Sequence, residues 1–419
     1  MTSHSMQPAI AENTVTPPIL APIAVQMPSK VSVGAGYSLE VVKSIAEVHA
    51  LREEWQALPR DPNADLDFYL TVIESHEEIL RPHVIVVRRE GVVKAMVVGR
   101  LERKRLEVAL GYRKVSTRPI RFLMLIHGGA LGEDSDELAS PIVASIMKTM
   151  RDGEADIVWF YGLEQNSALY RAARKAGSPA SRDFFPTRLG RWRGRIPPTY
   201  EALLRQLSPN ARHNLKRYAK RLQATYGEQL SIRNFRRPDD LETVLSDTEA
   251  IASRTYHRGL GVGFANNAET RQLMALAANQ GWLRACVLYI AGKPVAFWNG
   301  FLYRRTFYTW TTGYDRDLSE LRPGTFLLQK MFEELCAEKA ADEVDFGFGD
   351  AQYKRDWCDH EQVQASFMFF APTLQGIALN CFRTPLMATS KLVRNVLART
   401  GAMQSLKKKW RARLAQAKG

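Results

Sequence analysis

What most constrains this chain is that one order of segments occurs twice. Period-2 and period-3.6 apolar patterns give a strand at 38–43 and a helix at 45–58 with Ile45, Val48, Leu51, Trp55 and Leu58 on one side. A second helix follows at 67–80, then apolar strands 84–89 and 92–101 joined at Glu90-Gly91, a hairpin signal. A strand at 120–126, a helix at 135–150 and a strand at 155–162 close the set. From residue 208 the order returns: a basic helical segment 208–226, strand 230–235, helices 239–258 and 268–280, and strands 283–290 and 294–302 turned at Gly292-Lys293. Strand 306–313, helix 324–340 and strand 343–348 complete it. The hairpins 84–101 and 285–302 align best, and Ile157-Val158-Trp159-Phe160-Tyr161-Gly162 echoes Val344-Asp345-Phe346-Gly347-Phe348-Gly349. The expectation is an α/β fold, an α+β mixed sheet, built as two copies of one domain.

The units are then a leader at 1–36, a first domain at 37–195, a second at 196–370 and a tail at 371–419. The leader is rich in Pro, Ala, Ser and Val; it lacks the basic and apolar regions of a secretory signal and is expected to be disordered. No run of about 18 apolar residues occurs, so no membrane-spanning helix is expected. Cys286, Cys336, Cys358 and Cys381 form no CxxC pair, which fits idle thiols in a reducing cytoplasm. Of the formal charge of +14, ten Lys/Arg unopposed by acids lie in 371–419, so the body is only mildly basic. Duplex-DNA binding would spread such charge over a folded face.

Two pieces of 306–370 carry chemistry. In Leu321-Arg322-Pro323-Gly324-Thr325-Phe326, Pro323 sets a helix start and Gly324 removes a Cβ, so free N–H groups and the positive dipole end face one point that suits a phosphate. The first copy has Gly128-Gly129-Ala130-Leu131-Gly132 there, followed by Glu133, Asp134 and Asp136, which would repel a pyrophosphate. The second piece places Asp345, Asp350, Tyr353 and Lys354 around a glycine-rich strand end. A carboxylate can take a proton from an attacking amine, a tyrosine can return one to a leaving thiolate, and a lysine can steady negative charge. Between the helices, Arg254-Thr255-Tyr256-His257-Arg258-Gly259 starts a glycine-rich link in which His257 is a further candidate base. No GxGxxG, Walker, GxSxG or HExxH motif is present. Eight scattered histidines supply no ligand pairs, so no metal is expected.

At these residues the chain resembles the tandem-domain GNAT-type acyltransferases, related to Fem-like peptidyltransferases and to bacterial proteins of cellulose and exopolysaccharide synthesis. The resemblance is carried by Lys293-Pro294-Val295-Ala296, Tyr308, Tyr314-Asp315, Pro323-Gly324, Asp345-Phe346-Gly347 and Tyr353-Lys354-Arg355-Asp356-Trp357. It covers about 200–370, and the first half only by pattern. It implies two GNAT-like domains and an acyl-CoA co-substrate whose pyrophosphate meets Arg322, Gly324, Thr325 and Phe326. The loop of simple acetyltransferases is incomplete, since Phe326 stands where the last small residue would be; this leaves an aminoacyl donor as an alternative. Asp350, His257 or a relayed water would deprotonate the amine, Tyr353 would protonate the thiolate, and Lys354 would steady the intermediate. Arg258, Tyr308, Tyr314, Asp345 and Arg212 are candidate substrate contacts.

The segment 208–217 resembles the basic helix that opens the second domain in this branch, with Ser208 as N-cap and Pro209 at N1. Its Arg212, Lys216, Arg217, Lys220 and Arg221 are candidates for an anionic acceptor. In the tail, Leu374, Ile377, Leu379, Phe382 and Leu386 precede Lys407-Lys408-Lys409-Trp410-Arg411, a composition suited to an anionic membrane surface. The expected function is acyl transfer from acyl-CoA to an amine on an envelope-glycan precursor or a lipid such as a sphingoid base. The expected place is the cytoplasm, at the inner face of the membrane. The alternatives are a Fem-like aminoacyl transferase using aminoacyl-tRNA, which is the one nucleic acid expected as a partner, and a non-catalytic accessory protein of polysaccharide synthesis.

Overall fold

The computed structural model describes residues 31–33, 36–110, 113–255, 258 and 263–399. The first half runs β1 (Val31–Val33), β2 (Tyr37–Val42), α1 (Ile45–Ala50), α2 (Arg52–Ala57), α3 (Leu66–Ser75), β3 (Ile79–Arg89), β4 (Val92–Leu110), β5 (Arg113–Gly132), α4 (Asp136–Arg151), β6 (Ile157–Glu164), α5 (Ala168–Lys175) and β7 (Thr187–Arg195). The second half runs α6 (Tyr200–Gln206), α7 (Pro209–Tyr226), β8 (Leu230–Phe235), α8 (Leu241–Ala252), α9 (Ala268–Asn279), β9 (Leu283–Ile290), β10 (Lys293–Tyr303), β11 (Thr306–Tyr314), α10 (Pro323–Glu338), β12 (Glu343–Phe348), α11 (Gln352–Trp357), β13 (His360–Phe370) and α12 (Leu374–Arg399).

Local chemistry sets many of these bounds. Ser44 and Glu47 form a reciprocal capping box at α1. The helix expected over 45–58 breaks at Leu51, which ends α1 and starts α2. Glu90 and Gly91 both have positive φ (52° and 81°), as do Ala291 and Gly292 (49° and 76°); two such residues make the tight turn that matches strand twist. The second hairpin thus turns one residue earlier than expected. Within the span expected as a leader, the Val-Ser-Val of β1 pairs antiparallel with β2, Val31 opposite Leu39; residues 1–30 lie outside the described residues.

The thirteen strands among the described residues form one sheet, in the order β1-β2-β3-β4-β5-β6-β13-β7-β12-β11-β10-β9-β8. Each half contains one parallel pair, β5 with β6 and β11 with β12. The last strand of each half belongs to the other half's sheet: β7 pairs with β12, β13 pairs with β6, and β7 and β13 pair with each other at the seam. A cut at 195/196 therefore separates the two series of elements but not two sheets. The exchange is packed as well as hydrogen-bonded. Phe367 of β13 stacks on Phe160 of β6 at 4.7 Å, and both lie in the first half's core with Leu125, Ile142 and Val158. On the other side of the seam, Leu327, Phe332 and Phe346 form the second half's core with Leu215 and Leu222 of α7. Phe68 and Val72 of α3 cross over to pack with Val244 and Met274 of α8 and α9.

The segment expected as a basic tail from 371 begins as part of the folded body. Leu379 and Phe382 of α12 pack with Leu106, Phe122 and Ile157, Asn380 Nδ2 donates to the Ala180 carbonyl (2.7 Å), and Arg383 pairs with the buried Asp183. Leu374, Leu392 and Val393 stay exposed. Lys407–Arg413 lies outside the described residues.

Candidate active site

The site begins where two parallel strands separate. β11 and β12 pair only through Thr306–Tyr308 and Glu343–Asp345. Gly347 then takes φ 66°, a left-handed conformation that favours glycine, and its N–H donates to Asp345 Oδ1 (2.7 Å). The register shifts there and β12 continues along β7, leaving the rest of β11 without that neighbour. Lys354 fixes the bend. Its Nζ donates to the carbonyls of Phe346 (2.7 Å) and Phe348 (2.6 Å), and burial pushes its pKa down while Asp345 opposes this.

The opening holds a cavity of about 390 Å³ whose walls include Trp298, Tyr314, Arg322, Gly324, Thr325, Asp350 and Tyr353. Helix α10 starts at its edge. Pro323 has no N–H to offer, and Arg322 precedes it in a left-handed conformation (φ 54°, ψ 48°) without a side-chain cap. Its carbonyl accepts from Thr325 N and Phe326 N (both 3.1 Å). Trp298 Nε1 donates to the Gly324 carbonyl (2.9 Å) and ties this turn to β10. With Pro323 lacking an N–H and those of Thr325 and Phe326 bonded to the Arg322 carbonyl, the several free N–H groups expected here reduce to that of Gly324, which with the positive end of the helix dipole suits an anion. Opposite it, Tyr353 stands edge-to-face against Trp298 (5.5 Å) and Phe346 (5.3 Å), so its ring is held while it faces the cavity. Asp350 is at the rim, paired with Arg355.

Sequence reasoning therefore finds six residues that the structure brings together: Arg322, Gly324, Thr325, Tyr314, Asp350 and Tyr353. The other candidates lie elsewhere. The Lys354 amine is spent on strand carbonyls, so it is bonded to the protein backbone at the bend. Phe326 is buried with Leu327 and Met331 in the core, because it falls on the inward stripe of α10. Arg212 donates to the Leu207 carbonyl (3.1 Å) and closes the end of α6, and Arg258 pairs with Glu249. His257 lies outside the described residues.

Asp345 and Tyr308 belong to a second, buried group at the seam that the sequence did not reveal. Arg191 of β7 pairs with Asp61 Oδ2 (2.8 Å) and Asp345 Oδ2 (2.7 Å), and Tyr308 OH donates to Asp61 Oδ1 (3.1 Å). His127 Nε2 lies 2.9 Å from Gln364 Oε1 and 3.4 Å from Arg191 Nη1, and its Nδ1 lies 3.3 Å from Asn63 Nδ2. Burial, then Arg191, push the His127 pKa down. Burial opposes the charge of Asp61, but Arg191 and His127 outweigh it and hold its pKa low. The signal for Arg191 in the sequence is only an arginine on alternate residues of a polar strand.

His127 also faces a cleft of about 440 Å³ between the halves, walled by Asn63, Phe68, Arg100 and Tyr161 on one side and Phe264, Asn267, Trp310 and Thr311 on the other. Thr311 lines this cleft and Thr312 lines the first cavity. Successive residues of a strand point to opposite faces, so the two spaces lie on either side of β11 where it leaves β12. Beside the start of α4, Gly132, Asp134 and Ser135 border only about 30 Å³, and the Asp134 carboxylate accepts from Ala168 N (2.9 Å) at the start of α5.

Among the described residues, no group of three or more His, Cys, Asp or Glu is placed to hold a metal, and no helix is long and apolar enough to cross a membrane. Residues 209–355, from α7 into α11, match the family described as an acetyltransferase (GNAT) domain. No curated protein is significantly similar in sequence. Among solved structures, FemX superimposes with a TM-score of 0.53 at 11% identity, covering 78% of this chain and 97% of that one. A tandem GNAT protein from the clavulanic acid biosynthesis pathway gives 0.47 at 11%, covering 80% and 99%. A conserved protein of unknown function from Bacteroides thetaiotaomicron gives 0.47 at 12%, covering 78% and 97%. The fold is mixed α/β of GNAT type, and the family match makes the chain a transferase.

Proposed function

We propose that this transferase moves an acyl group from acyl-CoA to an amine. The observation that carries the reading is the cavity at the parted strands, with an uncapped helix start on one wall and Tyr353 on the other. The pyrophosphate lies at Arg322–Thr325 and the thioester reaches through the gap beyond Tyr308 toward the cleft between the halves. The amine enters from that cleft. Its lone pair attacks the thioester carbon, the C–S bond breaks, and Tyr353 gives its proton to the departing thiolate before recovering one from solvent. The amine's proton leaves through Asp350 or water at the rim.

The acceptor is an amine with both apolar and polar parts, an envelope-glycan precursor or a lipid amine such as a sphingoid base. Phe68, Phe264 and Trp310 in the cleft support the first requirement, and Asn63, Arg100 and Asn267 the second. A lipid acceptor fits work at the inner face of an anionic membrane, which the exposed Leu374, Leu392 and Val393 of α12 support. A second reading, an aminoacyl donor carried on tRNA, is favoured by one feature: α7 has five Lys/Arg and no acid.

Mass spectrometry with an acyl-CoA panel and candidate amines tests the reading. Mass transfer to the amine is expected, and Tyr353→Phe is expected to lower kcat by roughly 100-fold or more with the fold intact. Unchanged turnover in that variant would place the acid elsewhere, and transfer that requires aminoacyl-tRNA would replace the donor.

A further inference from the structure

Helix α7 is placed beside the donor cavity, and its charges have no use in the reaction above. Leu215 and Leu222 anchor it in the core against α10. That docking turns Tyr218 and Arg221 toward the 3₁₀ turn Arg316–Leu321, where Arg221 Nη1 donates to the Glu320 carbonyl (3.4 Å). Half-buried Tyr218 then gathers two more cations. The guanidinium of Arg217 lies 5.1 Å from its ring centre and that of Arg322, from the cavity wall, 6.0 Å. The ring holds both by their charge. Arg217 and Arg322 thus share one ring, with Arg221 one turn further along the same helix, and among the described residues none of the three is ion-paired with a carboxylate. Arg322 also borders the uncapped start of α10, which adds positive potential from the same direction.

We infer that the Tyr218 cluster is a binding site for the 3′-phosphate of CoA, with Arg217 and Arg221 as its direct partners and Arg322 shared between this group and the pyrophosphate. The inference rests on the acyl-CoA reading and deepens it. A phosphate monoester carries close to two charges and three acceptor oxygens, and planar guanidinium groups bind such oxygens in pairs. The surroundings favour one compact anion over a long polyanion. The turn next to the cluster exposes Asp317 and Glu320, and Asp350 stands on the cavity's far rim, so a nucleic-acid backbone running past the mouth would meet carboxylates on both sides. The site lies on a helix that precedes β8, and among the described residues of the first half no helix precedes β2.

Calorimetry with the full chain, comparing CoA with dephospho-CoA, tests this. The chain is expected to bind CoA roughly tenfold more tightly, the scale of one charge-assisted contact. Arg217→Gln and Tyr218→Leu are expected to remove the difference by weakening CoA alone, and Arg217→Lys to restore part of it. Equal affinities for the two nucleotides in the unaltered chain overturn the inference and leave the donor reading standing. Equal weakening of both by Arg217→Gln overturns it in favour of a packing role. Binding of neither overturns the donor reading and this site with it. Displacement of CoA by deacylated tRNA, with steep salt dependence, overturns it in favour of nucleic acid.

Discussion

The two halves share a scaffold and differ in what stands in front of one helix. In both, a strand pairs in parallel with its neighbour for three or four residues and then leaves it near a glycine of positive φ, Gly162 in the first half and Gly347 in the second. In the second half the helix that connects the two parallel strands begins with Pro323-Gly324 beside an open cavity. In the first half the acids Glu133 and Asp134 occupy that place, and Asp134 spends its oxygens on the start of α5. The parted strands are thus a property of the fold, while the site is a property of one short turn. A half that has lost the turn keeps the scaffold and is free to serve as a wall for the other's cleft.

The comparison can be broken most forcefully at the seam. Arg191→Met takes their shared cation from the buried Asp345 and the half-buried Asp61, and removing one partner of a buried pair costs about 3–5 kcal/mol. Urea unfolding should show that loss in a single transition. A loss below about 1 kcal/mol, or two separate transitions, would show halves that stand alone. A smaller effect compares the two glycine turns. A Cβ on Gly132, at φ 84°, would lie 2.2 Å from the Lys94 carbonyl oxygen, whereas one on Gly324 would meet Tyr314 at an ordinary 3.5 Å. Gly132→Ala should therefore cost at least about 1–3 kcal/mol without touching donor binding, while Gly324→Ala should keep stability and weaken CoA several-fold. The reverse pattern would move the donor site to the first half.

The smallest effect separates the halves by acid. His83 of β3 is fully buried, and burial, then Arg81 and Lys43, lower its pKa to about 3. A histidine with a folded pKa below its unfolded value of about 6.5 stabilises the fold fully above pH 6.5 and loses that contribution as pH falls toward 3. At pH 5.5 the loss is about 1.4 kcal/mol, and His83→Gln should flatten that part of the stability profile. An unchanged profile would assign the acid sensitivity to another group.

Periodicity made the repeated series legible because those elements bury one regular face; β8, β9 and β12 occupy the expected residues. It did not reveal β7 or β13. The inward positions of β7 include Arg191, whose partners Asp61 and Asp345 lie far away in sequence, so no local window shows an apolar stripe. The site divided for a similar reason. Arg322, Gly324, Thr325 and Tyr353 stood out because they are adjacent to strand ends. The direction of Lys354 depends on the bend at Gly347, and a one-dimensional pattern does not carry it. Phe326 was legible in principle, since with Leu327, Met331 and Phe332 it continues the inward stripe of α10.

The exchanged strands also set a schedule for synthesis. Glu164 pairs with Gln364, and Ile157 with Phe370, so the edge of β6 stays open while the whole second half is being translated. Open edges recruit other chains. A ribosome that stalls between the two halves releases a polypeptide with a bare strand and an uncovered Phe160, and quality control would have to recognise that intermediate before a neighbour does.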